Sequence, residues 1–390
     1  MYHYGMTMGK TNTRKSNIEL LRIIMMFSIV AHHYVINSGL LDAFDTGIAS
    51  KASLNYVFLS LWGMWGKTGI NVFILISGYF MCTSSLTIRR YCKILLEWAL
   101  YHFVIYFIML IAGYETAGPE RIFDLIFEIL RYANGSGNFL NSFLIFYLFI
   151  PFINKFIESI SKAEFKRFVF LLIFVFTILS TFFFNKVIFG EVFWFIAVYF
   201  IGAYLRLYPP VWADSLKTSG RLLIFSLVFA YASVVFMVLI EVLFNKGTAW
   251  FFMYDANRLG AVLVSIMLFV TFKNLNIGYS RAINLVAKTT FGVLLIHASS
   301  SAWREFMWVD LLHVNTFYSL PLIVLICRSI LVVAGVFVFC SLIDMLRIYL
   351  IEKPVFNHFD PFEDTLELIW RLFTNICFSI YNSIITLAER

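Results

Sequence analysis

Charge is scarce in this chain of 390 residues: Asp, Glu, Lys and Arg together make up 14%, against 61% hydrophobic residues. A mean hydropathy of +0.83 excludes a soluble globular protein, whose interior is too small to hide that much apolar surface. Long polar stretches are missing too, so no separate soluble domain is expected between the apolar runs. Cysteine is limited to five, an odd and scattered set (Cys82, Cys92, Cys327, Cys340 and Cys377) with neither paired nor metal-ligand spacing. That indicates neither a disulfide framework nor a metal site, and leaves buried, inert thiols as the expectation. No P-loop, G-x-S-x-G elbow, H-E-x-x-H helix or dinucleotide-binding glycine pattern occurs, so any activity belongs to the hydrophobic core itself. The net charge of +7 does not indicate nucleic-acid binding, because basic residues of membrane proteins collect in cytoplasmic loops.

What the chain has in quantity is apolar runs near the roughly 20 residues that cross a bilayer. They fall at 18–36, 63–82, 91–112, 138–153, 167–184, 191–207, 221–244, 251–272, 284–302 and 318–346. The expectation is an all-α, polytopic transmembrane helical bundle of about ten spans. Basic clusters alternate between the connections, and about 20 of the 30 Lys and Arg lie on the N-terminal side against about six on the other. Both termini are therefore expected in the cytoplasm, which requires an even number of spans. Met1 to Asn17 is polar and basic and no small-residue cleavage site follows the first run, so that run is expected to stay as an anchor. The organisation reads as a cytoplasmic segment 1–17, a membrane domain 18–350 and a cytoplasmic tail 351–390. In the tail, Glu367, Arg371, Asn375, Ser379, Asn382 and Thr386 recur every three to four residues on one helical face. They predict an amphipathic helix on the membrane surface, with an eleventh span as the alternative. Thr116 to Asn138 reads as a short amphipathic helix on the outer surface, ending in a flexible turn at Asn134 to Gly137.

Ionisable groups inside a span cost about 3 kcal/mol or more, so each needs a partner or a task. Span one holds Glu19, Arg22, His32 and His33. At 100° per residue, Arg22 and His33 share a helical face about 16 Å apart, and Glu19 lies one turn from Arg22 and can pair with it. His32 sits about 80° to the side. One reading makes Glu19 and Arg22 an interfacial anchor and lets the histidines bond neighbouring helices. The other makes a cavity that holds an anionic ligand at Arg22 and reacts at His33, where an imidazole accepts a proton near neutral pH. Arg89, Arg90 and Lys93 follow Ser84, Ser85 and Thr87 at the start of span three. Hydroxyl caps, free N–H groups and basic side chains there would bind phosphate, although positive-inside charge by itself is the simpler explanation of the cluster. Lys67, Arg258, His297 and Arg328 are further embedded charges, and Arg258 and Arg328 are expected to serve structural partners.

These residues resemble a known pattern. Glu19 to Arg22 followed by Val30-Ala31-His32-His33-Tyr34 is similar to the opening motif of the acyltransferase-3 family of bacterial membrane proteins, with arginine and histidine eleven positions apart. Gly69 to Phe80, containing Ser77-Gly78-Tyr79, resembles the family's second-span signature, and Arg89, Arg90 and Lys93 match the basic run after it. Phe146 to Pro151, Tyr199 to Tyr204 and Phe291 to His297 resemble later landmarks in order, although Leu294-Leu295 stands where relatives often carry tyrosine. The resemblance covers about residues 15 to 350. It implies transfer of an acyl group, usually acetyl from acetyl-CoA, to a hydroxyl of an extracytoplasmic polysaccharide or lipid-linked glycan, in the bacterial plasma (inner) membrane and without a metal. On that reading His33 acts as general base or transient acyl carrier and Arg22 orients it or binds the donor. Arg89, Arg90 and Lys93 hold the acyl-CoA phosphates, and His32, Glu19 and His297 support. Some relatives append an esterase-like domain; this tail is too short for one, which implies direct transfer or hand-over to another protein. A transporter or flippase for an anionic or glycan substrate, with Arg22, Arg258 and Arg328 along its path, is the alternative, although no repeated halves are visible.

Overall fold

Apolar runs with no water to bond must satisfy their own N–H and C=O groups, and a helix does this locally. The computed structural model describes residues 15–84, 87–116, 118, 139–183, 190–245, 248–357 and 360–388. Among these the chain is helical and contains no strand. The helices are α1 (Ser16–Ile36), α2 (Leu54–Gly63), α3 (Gly66–Met81), α4 (Ile88–Ile111), α5 (Phe139–Ser159), α6 (Lys162–Phe182) and α7 (Gly190–Leu207). They continue as α8 (Leu216–Phe244), α9 (Leu259–Asn274), α10 (Arg281–His297), α11 (Ser301–Leu311), α12 (Leu322–Asn357) and α13 (Asp360–Ala388). The helix expected at 116–138 and its turn lie outside the described residues, apart from Thr116 and Gly118 at its start.

Among the described residues eight helices are long and apolar enough to cross a membrane, α2 and α3 counting as one span of 28 residues. The chain is thus a multi-pass membrane protein. Two of the ten expected crossings need correction. The run at 284–302 is not one straight helix, because α10 and α11 meet at a 100° bend across residues 298–300. The run at 251–272 shortens to α9, whose 16 residues reach about 24 Å, less than the hydrocarbon core of about 30 Å. Residues 248–258 before it are not helical, and non-helical backbone at membrane depth is tolerated only where protein covers it. Here Asn257 Nδ2 donates to the Phe176 carbonyl at 3.0 Å, inside a π-helical turn of α6. Buried Arg258 donates to the carbonyls of Ser180 and Thr181 at 2.9 and 3.1 Å, a cation at the end of α6 where the helix dipole favours one.

At the centre, α3 packs against α1, α7 and α9. Its tightest crossing, with α7, joins two of the sequence landmarks. Gly78 of Ser77-Gly78-Tyr79 lies against the Tyr199 carbonyl, and Gly202 of Tyr199 to Tyr204 lies against the Leu75 carbonyl. A Cβ on Gly202 would sit 2.5 Å from that oxygen, and both obstacles are backbone that cannot rotate away. Small residues are what let membrane helices approach this closely. Gly78→Ala is therefore expected to destabilise by about 1–3 kcal/mol, read as a lower melting temperature of the detergent-purified chain. Gly335→Ala on α12 is the control, since a Cβ there meets nothing within 4 Å and alanine is the better helix former. Equal melting of the two variants would refute the crossing as a constraint.

The tail helix α13 is not among the helices apolar enough to cross. It lies along α4 and touches α5 through Phe378, whose ring is 4.9 Å from that of Phe152 and beneath the Lys155 ammonium. Leu368, Ile369, Leu372, Phe373, Ile376 and Ile380 form its exposed apolar side.

Candidate active site

The site begins with how firmly α1 is held. Asn17 Nδ2 donates to the carbonyls of Phe272, Lys273 and Leu275 at 2.9, 3.2 and 3.0 Å, which closes the end of α9. Ser280 N–H donates to Ser16 Oγ at 2.9 Å, and near the other end Ser329 Oγ donates to the Tyr34 hydroxyl at 3.0 Å. Between these ties Lys15, Ile18, Glu19, Arg22, Met26, Ile29, His33 and Ile36 line one cavity of about 1170 Å³. Their spacing by threes and fours is one helical face, the face that Arg22 and His33 share in the sequence reading. His32 reaches the edge of the same cavity.

At one end the cavity is basic, lined by Lys15, Arg90, Lys93, Arg206, Lys288 and Lys353 together with Thr83 and Ser84. Arg206 is steered there by Tyr79, donating to its hydroxyl at 3.3 Å with the guanidinium 5.1 Å over the ring. Arg22, a third of the way along α1, is ion-paired to Glu19 at 3.5 Å and stacks 5.7 Å from the Phe73 ring. The middle is apolar, with Ile29, Ile70, Phe73, Phe291 and Leu294, and the far end holds His32, His33 and Lys67.

The basic triplet of α4 divides. Arg90 and Lys93 face the cavity, whereas Arg89 turns away, donating to the Phe356 carbonyl at 2.7 Å with its guanidinium over that ring. The expected phosphate site on free N–H groups at the start of α4 is also altered. Thr87 makes no side-chain cap, and the Ile88 N–H donates to Glu367 of α13 at 2.9 Å. Ser85 lies outside the described residues. The side-chain charge of Arg90 and Lys93 remains and the helix-end contribution is spent on the tail.

At the far end, His33 meets a partner 264 residues away: its Nδ1 lies 2.9 Å from His297 Nε2, at the end of α10 just before the bend. His297 Nδ1 bonds the Val293 carbonyl. That network assigns the tautomers. A carbonyl only accepts, so His297 carries its proton on Nδ1 and accepts on Nε2, and His33 must donate from Nδ1. The lone pair left on His33 Nε2 is therefore a proton acceptor, and His33 is a member of the cavity wall. His32 differs. Its Nδ1 bonds the Gly63 carbonyl, and its ring is packed 5.9 Å from Trp250 and against Gly66, where any Cβ would collide with the imidazole. His32 is thus wedged into the α1–α3 contact.

Sequence reasoning missed a buried ion cluster near the basic end. Arg347 contacts Asp344 at 2.7 Å, Glu352 at 2.8 Å and Glu97 at 3.2 Å, and the Tyr101 hydroxyl donates to Asp344 at 2.8 Å. Glu352 also takes Lys93 at 3.2 Å. Arg347, Glu97 and Glu352 line the cavity. The signal was present, because Glu97 and Asp344 are acids inside apolar runs and such residues want a buried cation. Among the described residues no group of three or more His, Cys, Asp or Glu side chains is placed to hold a metal ion.

A comparison with protein families gives one match that covers most of the chain: a family model described as an acyltransferase domain matches residues 15–345. No curated protein and no solved structure matches.

Proposed function

Because this chain belongs to the acyltransferase-3 family, we propose that it moves an acyl group, acetyl foremost, from cytoplasmic acyl-CoA to a hydroxyl of an extracytoplasmic polysaccharide or lipid-linked glycan. The observation that carries this reading is a single cavity with a basic end, an apolar middle and a histidine end. Acyl-CoA has the same polarity: phosphates at one end, a long thin arm, and a thioester at the other. Lys15, Arg90, Lys93, Arg206 and Lys288 take the phosphates, and the arm runs past Arg22 along Ile29, Ile70 and Phe73. The thioester then arrives near His33, about 16 Å beyond Arg22 along α1.

Chemistry at that point needs a base and a way to return the proton. His33 Nε2 takes the proton of the acceptor hydroxyl as its oxygen attacks the thioester carbon. When the C–S bond breaks, the CoA thiolate recovers that proton from the imidazolium, leaving an ester and free CoA. His297 holds His33 in the tautomer that exposes Nε2 and steadies the imidazolium between the two steps, acting through His33 as a positioning residue. With the basic end in the cytoplasm, donor enters from inside and acceptor from outside the plasma membrane of a bacterium.

Removal of two mouth cations tests the donor assignment. Arg90→Gln with Lys288→Gln is expected to raise the KM for acetyl-CoA about 10-fold and leave kcat within about 2-fold, because the lost contacts are equal in ground and transition states. The wild-type KM should itself rise with salt, as screening weakens partly exposed charges. Unchanged KM in the double variant, measured as release of CoA thiol by the purified chain, would remove the phosphates from this mouth.

A further inference from the structure

Lys67 is a cation at the histidine end of the cavity that the steps above leave without a task. It is the second residue of α3 and lines the cavity beside His32 and His33. Several other cations of the cavity have company: Arg22 has Glu19, Lys93 has Glu352, Arg347 has its three carboxylates and Arg206 has Tyr79, while Lys15, Arg90 and Lys288 stand together at the basic mouth. Among the described residues Lys67 has neither an ion-pair partner nor a hydrogen-bond partner. The acids that line the cavity, Glu19, Glu97 and Glu352, all belong to its basic end, so the histidine end carries positive charge alone. An ammonium inside a membrane span is costly to keep without a counter-charge, and a retained one marks a place where negative charge arrives.

We propose that Lys67 is a catalytic residue that stabilises the oxyanion of the acyl-transfer intermediate, and this rests on the acyl-transfer reading given above. When an oxygen nucleophile attacks the thioester carbon and His33 takes its proton, the carbonyl π pair moves onto oxygen and leaves one negative charge there. Lys67 faces that charge without itself gaining or losing a proton. Collapse restores the C=O bond, breaks the C–S bond and returns the proton from His33 to the departing thiolate, so atoms and charge balance. The charge on the carbonyl oxygen exists only between attack and collapse, and a cation facing it accelerates the step without tightening donor binding.

The test uses the full chain in detergent or nanodiscs with acetyl-CoA, water serving as the acceptor so that no glycan need be known, and CoA thiol release as the readout. Lys67→Met is expected to lower kcat about 10²–10³-fold with the KM for acetyl-CoA within about 3-fold, and Lys67→Arg to recover part of the rate. An unchanged melting temperature of Lys67→Met separates lost chemistry from lost folding, and the arginine variant gives the same answer if methionine proves destabilising. Lys67→Met with wild-type hydrolysis overturns the proposal, since a lysine that only recognises an acidic acceptor would leave hydrolysis intact. A raised KM at constant kcat overturns it in favour of donor binding. Absence of thiol release by the wild type is the distinct outcome that overturns the acyl-transfer reading itself, and this proposal with it.

Discussion

His33→Ala is expected to lose acyl transfer by about 10³-fold or more, and His32→Ala to stay within about 10-fold of the wild type. The first variant removes the cavity-lining imidazole whose Nε2 keeps its lone pair through the His297 contact, the general base proposed above, and such a base is worth about 10²–10⁴ in rate. The second removes a ring whose bonds run to the Gly63 carbonyl and to packing against Gly66 and Trp250, so its loss falls mainly on stability. His297→Ala is intermediate, about 10–100-fold, because His33 keeps its base but loses the partner that fixes its tautomer. His297→Gln should recover part of that loss, the amide oxygen accepting from His33 Nδ1 in place of the second imidazole. Label transfer from acetyl-CoA to a crude glycan fraction, or thiol release without one, measures all four. Equal losses from His32→Ala and His33→Ala would defeat the distinction drawn between the two rings.

Arg347→Met destabilises the chain by about 3–5 kcal/mol, the cost of stranding buried charge. Its guanidinium is 5% exposed and stands between Asp344, which is fully buried, and Glu97 at 11%. Removing the cation leaves both carboxylates in apolar surroundings with nothing of opposite sign as near. Lys93→Met is the useful contrast: the Lys93–Glu352 pair is 39% and 20% exposed, and water takes over most of what it loses, so less than about 1 kcal/mol is expected. Replacing the set together, as Glu97→Leu, Asp344→Leu and Arg347→Met, should restore much of the stability, because the harm lies in the unpaired charges and not in the missing bonds. Thermal unfolding of the purified variants reads all three, and an Arg347→Met melting curve that overlays the wild type would mean the cluster is not a structural anchor.

Hydropathy alone placed most of the helices, because a backbone in lipid has one local way to satisfy itself and the length of an apolar run measures it directly. Helical phase alone placed Glu19, Arg22 and His33 on one wall, since 100° per residue is a property of the helix and not of its neighbours. The two runs where the structure departs from hydropathy are the one before α9, whose polar groups bond to another segment, and the one broken by the bend after α10. The non-helical stretch before α9 survives because Asn257 and Arg258 close the carbonyls of α6, and the bend after His297 turns α11 by 100° from α10. Neither is visible in a local pattern.

The site divides along the same line. Residue types and spacing put Arg22 and His33 on one face of α1 and singled out Arg89, Arg90 and Lys93 beside it, with an interfacial anchor and a reactive cavity both open as readings. Only the tertiary structure decided that His33 bonds His297 across 264 residues, that Arg89 serves Phe356 and not the cavity, and that Arg347 gathers acids from α4 and α12. The reason is physical: periodicity follows from bonds within a few residues, whereas the partner of a buried charge or a ring nitrogen is whichever group the packing of distant helices brings within 3 Å.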